Sequence, residues 1–427
     1  MSSWKQVRFS EICDITRGGS PRPIQEYMTN DGVPWIKISD ATASNSRFIE
    51  KTKEFIKTSG ISKSREVFPD DLILSNSATP GIPKFMRIYA CIHDGWLLLR
   101  NFNGAEKEFI YWLLLNERDK LIQQGNGSVF TNLKTDILKN HIVNIPDDIE
   151  EQKRIATILN NIQEKIELNT QINQTLEQIA QTIFKSWFID FDPVHAKANA
   201  LASGQTLEQA TQAAMAVISG KNTQELHRLQ TANPEQYQQL WEIAEAFPSG
   251  VDEEGVPRGW EERYLKDVCN IVYGKGLPKN KLTEKGFYVF GANGVIGFYD
   301  SYTYEKPQVL IGCRGTVGQV TLSYPYSFVT NNSLVIEYEN SCVSMYYLEK
   351  YLSNINLKEI SSGSVQPQIT IQNMSKVKIL IPNIEILNFY SEKVKEIYDK
   401  RLHHFYENQS LSKVRDLLLP KLLSGEV

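Results

Sequence analysis

The strongest constraint on how this chain folds is a stretch that it writes twice. "GSVFTNLKTDILKNHIVNIP" at residues 127–146 returns without gaps as "GSVQPQITIQNMSKVKILIP" at 363–382. Gly127, Ser128, Val129, Ile145 and Pro146 recur as Gly363, Ser364, Val365, Ile381 and Pro382. A second echo opens each copy: Trp4, Cys13, Ile15 and Gly18 match Trp260, Cys269, Ile271 and Gly274. Between them, "LILSNSATPG" (72–81) resembles "VLIGCRGTVG" (309–318), an apolar strand leading into a turn. The offset falls from 256 at the opening to 236 at the exit, so the first copy is 20 residues longer. Two such units are too few for a solenoid. They describe a duplicated domain of about 130–150 residues.

Each copy mixes β-branched and aromatic runs, broken by Gly, Pro and Asn, with a helical segment, which predicts an α+β domain. The segments are "AEKEFIYWLLLNERDKLI" in the first copy and "CVSMYYLEKYLSN" in the second. After each exit signal the pattern changes to a long helix. In the first helix Ile155, Leu159, Ile162, Ile166, Asn169, Asn173, Leu176, Ala180, Ile183 and Trp187 step by four and three. That 3.5-residue period is a coiled-coil seam. Asp147, Asp148, Glu150 and Glu151 stand where carboxylates favour a helix start. The second helix places Val394, Ile397, Leu411 and Leu418 on its seam, again with polar residues in the middle. Two similar domain–helix units related by a pseudo-two-fold predict antiparallel helices. At 1.5 Å per residue, a helix of about 40 residues spans about 60 Å. The competing arrangement is two independent helical bundles.

The expected order is a domain over 1–146, a helix over 147–190, an insert over 191–250, a second domain over 251–382 and a closing helix over 383–427. The insert is rich in Ala and Gln. Capping-box patterns at "TLEQ" (206–209) and "NPEQ" (233–236) mark it as helical rather than floppy.

Charge is unevenly spread along the chain. Residues 1–146 carry 19 basic against 16 acidic residues (+3), and 147–250 carry 7 against 14 (−7). The longest apolar run, "FIYWLLL", is well short of a membrane span, and the N-terminus has no apolar signal core. Five scattered cysteines without a CxxC pair argue against a disulfide framework or zinc site and fit a reducing cytoplasm. A P-loop, GxSxG, HExxH and any Pro-Pro dipeptide are all missing. The acids of "DFDP" (190–193) lack a third ligand. The sequence therefore predicts binding without catalysis and without a metal.

Side chains suited to base edges and phosphates cluster on loops at matching places. The first copy offers Arg17, Ser20, Arg22, Lys37, Arg47, Ser77, Thr79 and Lys84. The second offers Lys275, Lys279, Asn293, Arg314, Thr316, Asn331, Gln366 and Gln368.

The stretch "IPDDIEEQKRIATILNNIQEKIELNTQINQTLEQIAQTIFKSWFIDFDP" resembles the central conserved region of specificity subunits of type I restriction–modification enzymes. The "SEI…G" opening, the "GCRGTVG…NNSLVI" block and the second "GSVQ…IP" signal are similar too. The resemblance implies two target-recognition domains, each reading half of a split double-stranded DNA sequence, with the helices setting the unread gap. It also implies two modification subunits docked on the helices. They would carry S-adenosylmethionine and methylate adenine N6. Two restriction subunits would carry ATP, Mg²⁺, the motor and the nuclease, leaving no cofactor in this chain. The rival class is a non-DNA scaffold that displays two ligand-binding globules on a coiled coil.

Overall fold

The computed structural model describes residues 3–43, 46–124, 132–363 and 366–426. Gly127, Ser128, Val129, Ser364, Val365 and the first two residues of "SNSRF" lie outside that set. The chain divides into two compact units, residues 1–171 with 404–427, and residues 172–403. Each unit combines one α+β domain with parts of two long helices, Ile149–Phe188 and Ile384–Ser424.

The repeated exit signal is explained by strand pairing. In the first unit, Ile142–Pro146 runs antiparallel to the opening strand Trp4–Arg8, with Trp4 opposite Pro146. In the second, Lys378–Ile381 pairs in the same way with Glu261–Tyr264. Alternation decides what faces inward: Val143 and Ile145 are buried while Ile142 is exposed. They join a core of Phe9, the helix Lys107–Asn116, and Ile155 and Leu159 of the first long helix. Leu422 and Leu423 of the second long helix enter the same core.

The first domain holds two five-stranded sheets. In one, Trp96–Arg100 lies between Asp14–Arg17 and Leu72–Ser75. The second domain repeats that arrangement, with Ser333–Glu337 between Asn270–Tyr273 and Val309–Gly312. Its sheets are smaller, of four and three strands, in keeping with the shorter copy. The single helix expected over the first "AEKEF…" segment divides into Lys107–Asn116 and Arg118–Gln124. Glu117, at the break, is buried and binds His141 and Lys120.

The helices pack as the seam predicts. Ile155, Leu159, Trp187 and Val394 are buried, and Ile162, Ile166, Leu176, Ile183, Ile397, Leu411 and Leu418 are half-buried. Within the first unit Gln163 accepts from Arg415 at 2.6 Å, and Asn169 donates to Asn408 at 2.9 Å. As one residue number rises the other falls, so the helices run antiparallel. In the second unit Asn173 donates to the Arg401 carbonyl at 3.1 Å, and Phe184 packs on Tyr390. Polar middle meets polar middle. Phe184 and Phe188, beside the seam rather than on it, are fully buried among Trp260, Tyr347 and Tyr390.

The insert forms four helices, Asp192–Ala202, Leu207–Ser219, Thr223–Ala232 and Pro234–Ala246. Thr206 and Gln209 close the expected capping box, and Asn233 caps the last helix by accepting from Gln236. Buried Lys197 donates to the Ala244, Glu245 and Phe247 carbonyls, satisfying the C-terminal end of that helix. No helix among the described residues is long and apolar enough to cross a membrane.

Candidate nucleic-acid interface

The central strand of each domain ends in a loop edge built on one hydrogen-bond frame. Gly18 donates to the Trp96 carbonyl at 2.9 Å, and Gly274 to that of Ser333 at 3.1 Å. Gly19 bonds Ile92 as Lys275 bonds Val329, and Asn76 bonds Gly95 as Cys313 bonds Asn332. Leu133 donates to Asn76, and Ile369 to Cys313. The turn closed by Trp96 N–H on the His93 carbonyl, 3.1 Å, is matched by Ser333 on Thr330, also 3.1 Å.

Backbone geometry repeats as well. Ala78 and Gly315 occupy the same left-handed position, with φ of 56° and 77°. A Cβ on Gly18 would lie 2.1 Å from the His93 oxygen, and one on Gly274 2.3 Å from that of Thr330. Only glycine allows these strands to approach so closely.

In the first domain Arg17, Ser20 and Arg22 converge on Asp94. The Ser20 hydroxyl donates to Asp94 Oδ1 at 2.6 Å, while Arg17 and Arg22 stand 3.8 and 3.7 Å from Oδ2. Burial opposes the Asp94 charge, but Ser20, His93 and Arg17 outweigh it and hold the carboxyl below its usual range. His93 is pushed down, first by burial and opposed by Asp94. Arg17, Asn76, Ser77, His93, Asp94 and Lys134 border an open cleft of about 540 Å³. Thr79 closes the Ser77 turn, with its N–H on the Ser77 carbonyl at 2.6 Å. Lys37 is paired with Glu54 and lies over Trp35, which itself packs edge-on against His93.

Two expected DNA contacts are corrected. Arg47 is only 2% exposed. Its guanidinium binds Glu108 at 3.1 Å and Glu164 at 3.0 Å, fastening the domain to the first long helix. Lys84 is 4% exposed and bonds the Ser46 carbonyl, and burial lowers its pKa against the pull of Glu167. Both lie inside the unit and present nothing to a ligand.

In the second domain the shared frame gathers Lys275, Arg314, Thr316, Asn331 and Gln368 on one edge, all exposed. Asn293 joins them through the tight turn between Phe287–Gly291 and Gly294–Tyr299. The Ala292 oxygen of that turn sits 2.5 Å from where a Gly312 Cβ would stand. Lys279 is exposed on the short helix Lys279–Lys281, and Gln366 is also exposed.

Sequence reasoning passed over His93, Asp94 and Lys134, which border the same cleft. The signal was available, because "HDGW" (93–96) aligns with "TNNS" (330–333), which carries the candidate Asn331.

Two copies of one loop frame, carrying different side chains and joined by long helices, define a protein with two recognition heads. The profile of the type I restriction modification DNA specificity domain matches residues 1–178 and 257–414, and the chain belongs to that family. It is similar, at 34% identity over 100% of both chains, to the specificity subunit of the type I restriction enzyme HindI from Haemophilus influenzae. It is also similar to the MjaIX specificity subunit from Methanocaldococcus jannaschii, at 24% identity over 99% of this chain and 93% of the other. In fold it resembles the type I restriction–modification S subunit from M. genitalium. The TM-score is 0.56, with 16% identity over 99% of this chain and 96% of that one.

Proposed function

We propose that this chain reads a split, asymmetric DNA target, one half with each domain, on behalf of a type I restriction–modification complex. The observation that carries this reading is the shared frame with unlike tips. Equivalent backbone positions present Arg17, Ser77 and Asp94 in one domain and Tyr273, Arg314 and Asn331 in the other. One frame supplies the same approach to duplex DNA, and different donors and acceptors supply two different half-sites. The long helices set the unread gap between halves and provide the docking faces for two modification subunits. Catalysis then belongs to the partners. S-adenosylmethionine sits in the modification subunits, and ATP with Mg²⁺ in two restriction subunits. The complex works in the cytoplasm, with its DNA.

The test is methylome sequencing of a host expressing this chain with its neighbouring modification subunit. A new split N6-methyladenine motif is expected. No new motif, with both proteins soluble and associated, favours the non-DNA scaffold. Salt separates the two readings independently: DNA affinity falls steeply as salt rises, because phosphate contacts release counterions.

A further inference from the structure

The equivalence of the two loop frames is close enough to pair individual side chains. Trp96 lies opposite Ser75 as Ser333 lies opposite Gly312, and Leu97 opposite Arg17 as Leu334 opposite Tyr273. Counting back along each chain, the turns closed on His93 and Thr330 put Asp94 and Asn331 at the same position. Both project from the edge that carries the DNA-facing candidates: the Asp94 side chain is 41% exposed, and Asn331 is exposed.

A carboxylate is an awkward group to place on such an edge, because phosphates repel it. Here that repulsion is cancelled locally by Arg17 and Arg22, both on Oδ2. Oδ1 accepts a hydrogen bond from Ser20, and His93 Nδ1, 3.7 Å away, is itself taken up as an acceptor by the Gly95 N–H. An ionised carboxylate offers about four lone-pair sites, so acceptor capacity remains on the exposed side. A neutralised acceptor with no donor matches an exocyclic amino group in the major groove, whereas an amide, with donor and acceptor side by side, matches adenine N6 and N7.

We propose that Asp94 and Asn331 are the equivalent base-discriminating residues of the two domains. Asp94 accepts from cytosine N4, and Asn331 makes a paired contact with adenine. The assignment rests on the DNA-reading function proposed above. The bland alternative is that Asp94 only holds Arg17 and Arg22 in place.

The experiment uses the full complex with its modification subunits, methylating duplex libraries in which each half-site is randomised in turn. Asp94→Asn keeps the size and the acceptor for Ser20 but adds a donor. It should shift preference at one base pair of one half-site towards adenine by at least about tenfold, leaving the other half and the gap unchanged. Asn331→Asp should shift one base pair of the other half-site towards an amino-group donor alone. Unchanged motifs in both variants overturn the assignment. So does uniform loss of methylation without a changed base, which is the mark of a residue that merely positions its neighbours. A wild-type complex that yields no split motif instead defeats the function on which the assignment rests, and is recognised in the control before any variant is compared.

Discussion

The two domains share their frame and differ in how they are fastened to the helices. In the first, a cation from the domain's loop region, Arg47, reaches Glu164 on the long helix and Glu108 on the domain's own helix. In the second, the cation comes from a domain helix: Lys350 pairs with Glu177 of the first long helix and with Glu349, and Arg401 of the second long helix also binds Glu177. Both cations are almost completely buried, with side chains 3% and 1% exposed. Duplication therefore preserved the sheet that holds the loops and left each junction to find its own ion pairs. A buried cation is tolerated wherever carboxylates meet it, so the junction restricts charge and burial more than residue position.

The largest expected effect breaks that comparison at its fastenings. Arg47→Ala leaves Glu108, itself partly buried, without its guanidinium partner, and should cost about 3–5 kcal/mol in denaturant unfolding. Lys350→Ala should cost less, because Arg401 still faces Glu177. Equal losses would mean that the second cation has no share in holding Glu177. The next effect sharpens the contrast between tips. Arg314→Ala should weaken binding to one half-site by about 1–3 kcal/mol. Half-site competition should show the other half unaffected, since the equivalent position in the first domain is Ser77.

The smallest effect concerns acid. Burial raises the Glu108 pKa against the pull of Arg47. For Glu177 burial also acts upward, but Lys350 and Arg401 outweigh it and the pKa falls below the usual value. A depressed carboxyl stabilises the fold above its unfolded pKa, about 4.3, and that contribution disappears as pH falls through the folded value. A raised carboxyl has the opposite sign: its contribution is present at low pH and is lost as pH rises. Hydrogen exchange on acidification should therefore release the second domain's junction before the first. Glu177→Gln should flatten that dependence, and Glu108→Gln should not.

Much of this was legible because it depends on local periodicity. The 3.5-residue seam located Leu159 and Trp187, the repeat located Ile145, and cap chemistry located Thr206. Arg47 and Lys84 were misread for a common reason. A basic residue beside a polar loop has the same sequence signature whether it meets phosphate or a carboxylate more than a hundred positions along the chain. Glu164 and Glu167 could be matched to Arg47 only by the fold. Phe184 and Phe188 were missed because the seam describes one helix facing another, while these rings face a domain. Asp94 is legible only through its alignment with Asn331: its partners Arg17, Ser20 and Arg22 are gathered by strand pairing, and nothing in "HDG" itself announces that meeting.

In both copies the strand that enters the domain is hydrogen-bonded to the strand that leaves it, Trp4–Arg8 with Ile142–Pro146 and Glu261–Tyr264 with Lys378–Ile381. The chain comes in and goes out through one doorway. A part attached in that way is a cassette. Recombination that cuts at the doorway can substitute a whole domain from another gene while the helix beyond Pro146 keeps its register, so new specificities can arise by exchange in one step as well as by the slow accumulation of point changes.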